Sequence, residues 1–195
     1  MPSFLHLYPM KYFLDFDRTI FDTPAFKKAI ARRPTVLELL RQMKEATKEL
    51  VSPGESMSRR RSLAKTFGTF LSHGRFTISS EEVVQYLYPD VPDFLRTHDC
   101  TIVTYGVRAF ITAKVSTTLK EFAETPIVYT SRRKGRTIKR LCAETDDKCT
   151  FIDDAHFQLE SVSLICPTVT IVEMRRDGTS GDGRWKVIHS LADLG

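Results

Sequence analysis

The sequence is short of several features that define other classes of protein. It contains no run approaching the ~20 apolar residues needed to cross a bilayer. Residues 1–16 lack a basic opening, a long apolar stretch and a small-residue cleavage site, so no secretory signal is expected. Cysteine is scarce, with only Cys100, Cys142, Cys149 and Cys166 among 195 residues. None forms a C-x-x-C pair, and no histidine stands at zinc-finger spacing, which excludes the common structural zinc sites. Three of the four lie in or beside apolar runs and are expected to be reduced and buried, as in a cytoplasmic protein. There is no internal repeat and no low-complexity tract.

What is present is ordinary in proportion. Hydrophobic residues make up 42% and charged residues 27%, a globular balance. A chain of 195 residues buries a full core without disulfides, and its length suits one core domain plus an insertion. The net charge of +5 suits an anionic small molecule without by itself indicating nucleic acid. The oligomeric state is left open.

Five short apolar runs stand out, at residues 11–16, 100–104, 126–130, 149–153 and 168–174. Each is continuous and bounded by polar or turn residues, as in strands covered on both faces. Residues 107–122, 134–144 and 156–164 carry apolar residues at helical intervals. The rhythm predicts an α/β fold, a doubly wound, Rossmann-like parallel sheet with helices on both sides. Residues 24–96 are different. They hold almost no strand-like run, a proline-led helical stretch at 34–44, a break at 51–56, and a serine-plus-acid helix start at 79–82. Pro89 and Pro92 are expected to end that last helix. The division expected is a core of residues 1–20 and 97–195, with a helical insertion at 21–96. The glycine-rich tail, 175–185, reads as a loop or terminal hairpin packed by the single tryptophan, Trp185.

In such sheets ligands bind beyond the carboxyl ends of the strands. The first strand delivers Asp15 and Asp17 there, inside an apolar run that has no reason to carry them. The second delivers Thr104, Tyr105 and Gly106. The third leads into Arg132, Arg133 and Lys134, and the fourth into Asp153 and Asp154. Each part alone is commonplace: a strand-end threonine, a solvated lysine, a pair of turn aspartates. Their joint arrival at one edge is not. A calcium loop starting at Asp15 needs glycine at its sixth position and an acid at its twelfth, but Ile20 and Phe26 stand there. A phosphoacceptor signalling domain uses similar groups in the reverse order and has no place for the insertion.

The arrangement resembles the haloacid dehalogenase (HAD) superfamily. The matching segments are "FLDFDRT" (13–19), "TIVTYG" (101–106), a lysine within "SRRKGRTIKR" (131–140) and "TFIDDAHFQLE" (150–160). The resemblance implies that 21–96 is a helical, C1-type cap over an HAD-like core. It makes Asp15 a nucleophile that forms an aspartyl phosphate and Asp17 the group that moves protons. Dehalogenase and phosphonatase branches lack the second aspartate, so Asp17 implies phosphoryl transfer. The cofactor implied is Mg²⁺, held by Asp15, the backbone carbonyl of Asp17 and Asp154, with Asp153 as a water-mediated ligand or a support. Thr104 and backbone amides near Tyr105 and Gly106 would take phosphoryl oxygens. The lysine is Lys134 or Lys139; helix geometry favours Lys134, and Arg132 and Arg133 do not fit the family's pattern.

The activity implied is a Mg²⁺-dependent phosphatase acting on a small phosphorylated metabolite or nucleotide. A phosphotransferase, or a protein acting on nucleic-acid terminal phosphates, is the alternative. Neither a nucleic-acid partner nor a membrane is expected. Substrate choice is expected in the insertion, whose Arg59, Arg60, Arg61, Lys65, His73 and Arg75 read more readily as a solvated basic face than as ligand contacts. His156 reads as a helix-end or surface residue.

Overall fold

The protein is described by a computed structural model that covers residues 10–31, 80–106 and 108–194. Its strands are β1 (Met10–Leu14), β2 (Asp99–Tyr105), β3 (Ile127–Thr130), β4 (Lys148–Asp153), β5 (Thr170–Met174) and β6 (Lys186–Ile188). Its α-helices are α1 (Thr23–Ala31), α2 (Ser80–Val84), α3 (Val91–Thr97), α4 (Arg108–Thr118), α5 (Gly135–Cys142) and α6 (His156–Ile165). The six strands form one sheet in the order β3-β2-β1-β4-β5-β6, and every pairing is parallel. No helix among the described residues is long and apolar enough to cross a membrane.

Alternation along the strands builds two cores. Tyr12 and Leu14 of β1, Ile102 of β2 and Ile152 of β4 face one side, packed with Phe94 and Leu95 of α3 and Val115 of α4. Phe13, Val103 and Phe151 face the other, packed with Ile138 of α5 and Leu159 and Val162 of α6. Burial on both faces is why the strands read as unbroken apolar runs rather than alternating ones.

Two expectations are corrected. Pro92 does not end a helix; it sits in the first turn of α3, where its missing N–H costs no hydrogen bond. The tail does not close a hairpin. Lys186–Ile188 pairs in parallel with β5, after a loop that turns through Gly178 (φ 75°) and Gly183 (φ 80°). A three-residue strand carries too little pattern to be seen in sequence. The expected helix at 34–44, the break at 51–56 and the basic run around Arg60 lie outside the described residues.

The segment that leads into α3 is tied to the end of β5 by charge. Arg176, just past β5, places its guanidinium on both oxygens of Asp90 (2.9 and 2.8 Å) and on the carbonyl of Thr19 (3.0 and 2.7 Å), with its plane over the Tyr88 ring. Asp90 also accepts from the Ser190 hydroxyl and the Leu191 N–H. Burial pushes the Asp90 carboxyl up, but these donors outweigh it and hold it below the usual carboxylate range. Removing one partner of a nearly buried pair leaves the other uncompensated, so Asp90→Ala is expected to cost about 3 kcal/mol in urea unfolding. Because the folded group titrates below the unfolded one, its contribution is complete above the unfolded value. It fades as pH falls through the folded one. The gap between wild type and Asp90→Ala should therefore narrow in acid.

Candidate active site

The chain order runs β1, β2, β3 outward on one side, then returns to place β4 on the other side of β1. This reversal opens a crevice at the carboxyl ends of β1 and β4, where open α/β sheets bind ligands. Asp15 follows β1 directly, and its N–H still donates to the Ile152 carbonyl of β4 (2.9 Å). The carboxylate is thereby aligned with the strand yet carried just past its end. The chain then turns sharply: the N–H groups of Ile20 and Phe21 both reach the Phe16 carbonyl (3.2 and 3.0 Å). Arg18 takes the left-handed region within this turn (φ 62°), at a cost of about 1 kcal/mol for a residue with a Cβ.

Lys134 is the centre of the site. Its ammonium contacts Asp15 and lies 2.7 Å from Asp153, and the side chain is only 1% exposed. Three features hold it there. Its N–H donates to the Gln158 side chain on α6 (2.9 Å). Phe151 offers its ring face 5.6 Å from the ammonium. The next residue is Gly135, where an added Cβ would lie 2.3 Å from the Ser161 carbonyl, so only glycine lets α5 start this close to α6. Lys139 is exposed on α5. Arg132 and Arg133 line a separate cavity of about 370 Å³ with Arg136, Leu164 and Ile165.

Three carboxylates, those of Asp15, Asp153 and Asp154, bring one oxygen each within 4.8 Å of one another. Their environments differ. Asp153 is fully buried with both oxygens engaged, one by Lys134 and one by the Ala155 N–H (2.8 Å). Asp154 is half-buried; burial and then the charge of Asp15 push it up to about 6, against Arg18 and Lys134. Burial pushes Asp15 up to about 7, with Asp153 adding to the rise and Lys134 opposing it. Burial alone would lower the Lys134 ammonium, but Asp15 and Asp153 overcome this and hold it above its usual value. Among the described residues Lys134 is the one cation in direct contact with this cluster. Three acids against one lysine leave negative charge to spare, and all the donors are hard oxygens, so the residues fit a small divalent cation.

Asp17 is not part of this cluster. The turn carries it to a more open position, about one-third exposed, where Lys114 of α4 and the Thr23 hydroxyl of α1 contact the same oxygen. Lys114 is itself mostly buried, its ammonium over the rings of Phe16 and Phe21 (5.0 and 5.3 Å). On the far side of β1, Thr104 is the last residue but one of β2, with its hydroxyl buried and without a hydrogen-bond partner among the described residues. Gly106 follows at φ 146°, a conformation that favours glycine. Its N–H donates to the Thr130 carbonyl (3.1 Å), so the expectation that this amide serves a phosphoryl oxygen is not met: β3 has claimed it.

Sequence reasoning passed over Gln158, Lys114 and Thr23. Gln158 had a weak signal, as a polar residue between Phe157 and Leu159 on a helix whose inward face carries Leu159 and Val162 but also the small polar Ser161. Lys114 and Thr23 had none, because nothing in a helix pattern says which lysine bends inward. His156 lies at the surface as expected, with Nε2 2.9 Å from Asp182 and its ring against Trp185.

This sheet order, with acids at the ends of β1 and β4, is the haloacid dehalogenase-like fold, and solved structures bear this out. The chain is similar to a haloacid dehalogenase-like protein of Burkholderia xenovorans LB400, at 15% identity and TM-score 0.62, covering 96% of this chain and 95% of that one. It is similar to an HAD-type protein of Bacillus subtilis whose structure contains magnesium, at 14% identity and TM-score 0.51, covering 96% and 97%. A haloacid dehalogenase-like family hydrolase of Streptococcus pneumoniae follows at 13% identity and TM-score 0.56, covering 95% and 96%. No protein-family model and no curated protein sequence matches the chain.

Proposed function

We propose that the chain is a Mg²⁺-dependent phosphatase that acts on a small phosphate monoester through an aspartyl phosphate. The observation that carries this reading is the meeting of Asp15, Asp153 and Asp154 around Lys134 at the switch point of the sheet. Asp15, Asp154 and the backbone carbonyl of Asp17 would hold the cation, with Asp153 as support. When bound, Mg²⁺ would offset the charge of the phosphoryl oxygens and so reduce their repulsion of Asp15.

The residues divide the chemistry as follows. A carboxylate oxygen of Asp15 attacks phosphorus, and the ester P–O bond breaks. The leaving oxygen takes a proton from Asp17, which Thr23 and Lys114 orient. A water then attacks the aspartyl phosphate at phosphorus, gives its proton to Asp17, and frees phosphate and the Asp15 carboxylate. Lys134 holds Asp15 ionised and in line. Residues 21–96 are proposed to form the cap that selects the substrate. The four free thiols, three of them buried, suit a reducing cytoplasm.

The test is phosphate release from a panel of phosphorylated metabolites and nucleotides. Release is expected with Mg²⁺, loss with EDTA, and recovery on adding Mg²⁺ back. No release from any ester under any condition would end the reading. Thr104 offers a second, sharper test. Its buried hydroxyl has no partner to lose among the described residues, so Thr104→Val should leave the thermal midpoint unchanged or slightly raised. The same change should slow phosphate release by roughly 10²-fold, as for removal of one donor to a developing oxyanion.

A further inference from the structure

Two aromatic side chains stand at the mouth of this site and have no part in the reaction described above. Tyr105 follows Thr104 at the end of β2, and Phe157 lies in the first turn of α6, immediately before Gln158. Strands β2 and β4 are not neighbours, since β1 lies between them. Their ends are therefore separated by roughly 9–10 Å. Yet the two rings meet edge to face, with centroids 6.1 Å apart and planes at 77°. They span the end of β1, where Asp15 stands.

Both rings are open to solvent, Tyr105 at 45% and Phe157 at 42%. Among the described residues they are the only aromatic side chains in the exposed class. Exposed aromatics held against each other, beside a cluster of buried charge, mark a surface kept for contact. Their backbones are tied to the groups that would hold the phosphoryl: Tyr105 to Thr104, and Phe157, through Gln158, to Lys134. A ligand whose phosphoryl group meets Asp15 and Thr104 would have its alcohol portion close to these rings.

We propose that Tyr105 and Phe157 form the leaving-group wall of the site, and that the substrate is a phosphate monoester whose alcohol carries a planar aromatic ring. This rests on the phosphatase reading and adds the substrate class to it. A flat π-face suits such a ring, because stacking tolerates many ring structures while rewarding planarity. The wall sits on the core domain, so it acts on the leaving group whatever the insertion adds.

The experiment compares 2-phenylethyl phosphate with n-butyl phosphate in the presence of Mg²⁺. Both release primary alcohols of similar acidity, so the ratio of kcat/KM reports recognition of the ring rather than ease of departure. The full chain is expected to favour the phenylethyl ester by about tenfold or more. That ratio should fall towards one in Phe157→Leu and Tyr105→Leu, and should be kept in Phe157→Tyr. A wild-type ratio near one overturns the inference without any variant being made. So does a ratio that survives both leucine substitutions while both rates fall together, which would assign the rings to packing alone. If neither ester releases phosphate, the phosphatase reading itself fails and takes this inference with it.

Discussion

Asp15→Asn is expected to abolish phosphate release, lowering kcat by roughly three orders of magnitude or more, because loss of a covalent nucleophile leaves only binding and charge stabilisation. The substitution keeps the shape of the side chain and removes its charge. That matters for interpretation, because Asp15 lies where burial and a second carboxylate oppose ionisation. A neutral amide relieves this crowding and leaves Lys134 paired with Asp153 at 2.7 Å. The folded state should therefore survive, with a thermal midpoint near that of the wild type. Inactivity with a retained midpoint supports the role given to Asp15. Full activity in the variant would remove Asp15 from the chemistry and with it the aspartyl phosphate.

Lys134→Met should do the opposite to stability. It removes the one ammonium that, among the described residues, touches Asp15 and Asp153, both buried. A buried pair broken from one side costs about 3–5 kcal/mol, since the remaining carboxylates lose their countercharge and Asp153 keeps, among the described residues, only the Ala155 N–H. Here two carboxylates are left, so the variant should unfold at much lower urea and release phosphate at least ~10²-fold more slowly. Mg²⁺ should recover part of the lost stability, because a cation bound among the same oxygens favours the folded state by mass action. Urea melts with and without Mg²⁺ give this result independently of activity. A variant as stable as the wild type would mean that Lys134 is not what compensates the cluster.

Much of this was legible in the sequence, for identifiable reasons. Asp15 interrupts an apolar strand where a charge has no local explanation. Asp153 and Asp154 repeat the anomaly at the end of another strand. Strands covered on both faces read as continuous apolar runs, so the sheet's number of long strands and its parallel character followed from pattern. Distance along a helix favoured Lys134 over Lys139, and the structure places Lys134 against Asp15 and leaves Lys139 exposed. Short elements did not follow: β6 has three residues, and α3 hid behind a proline that could equally have ended a helix. The network around the site was also invisible. Arg176 on Asp90, Lys114 on Asp17 and Gln158 on Lys134 join residues that are far apart in the chain.

The amino-acid sequence by itself determined which strand ends carry charge, because burial and charge conflict locally and ten residues are enough to show it. The tertiary structure alone decided how those charges divide. Asp15 and Asp17 stand two residues apart in "DFD", yet one is buried against Lys134 and the other is open beside Lys114. The reason is physical: a strand period would send both side chains the same way, but the turn stabilised by the Phe16 carbonyl breaks that period between them. Which lysine meets which carboxylate, and which two aromatic rings meet across β1, depends on strand order, and strand order is a property of the folded sheet.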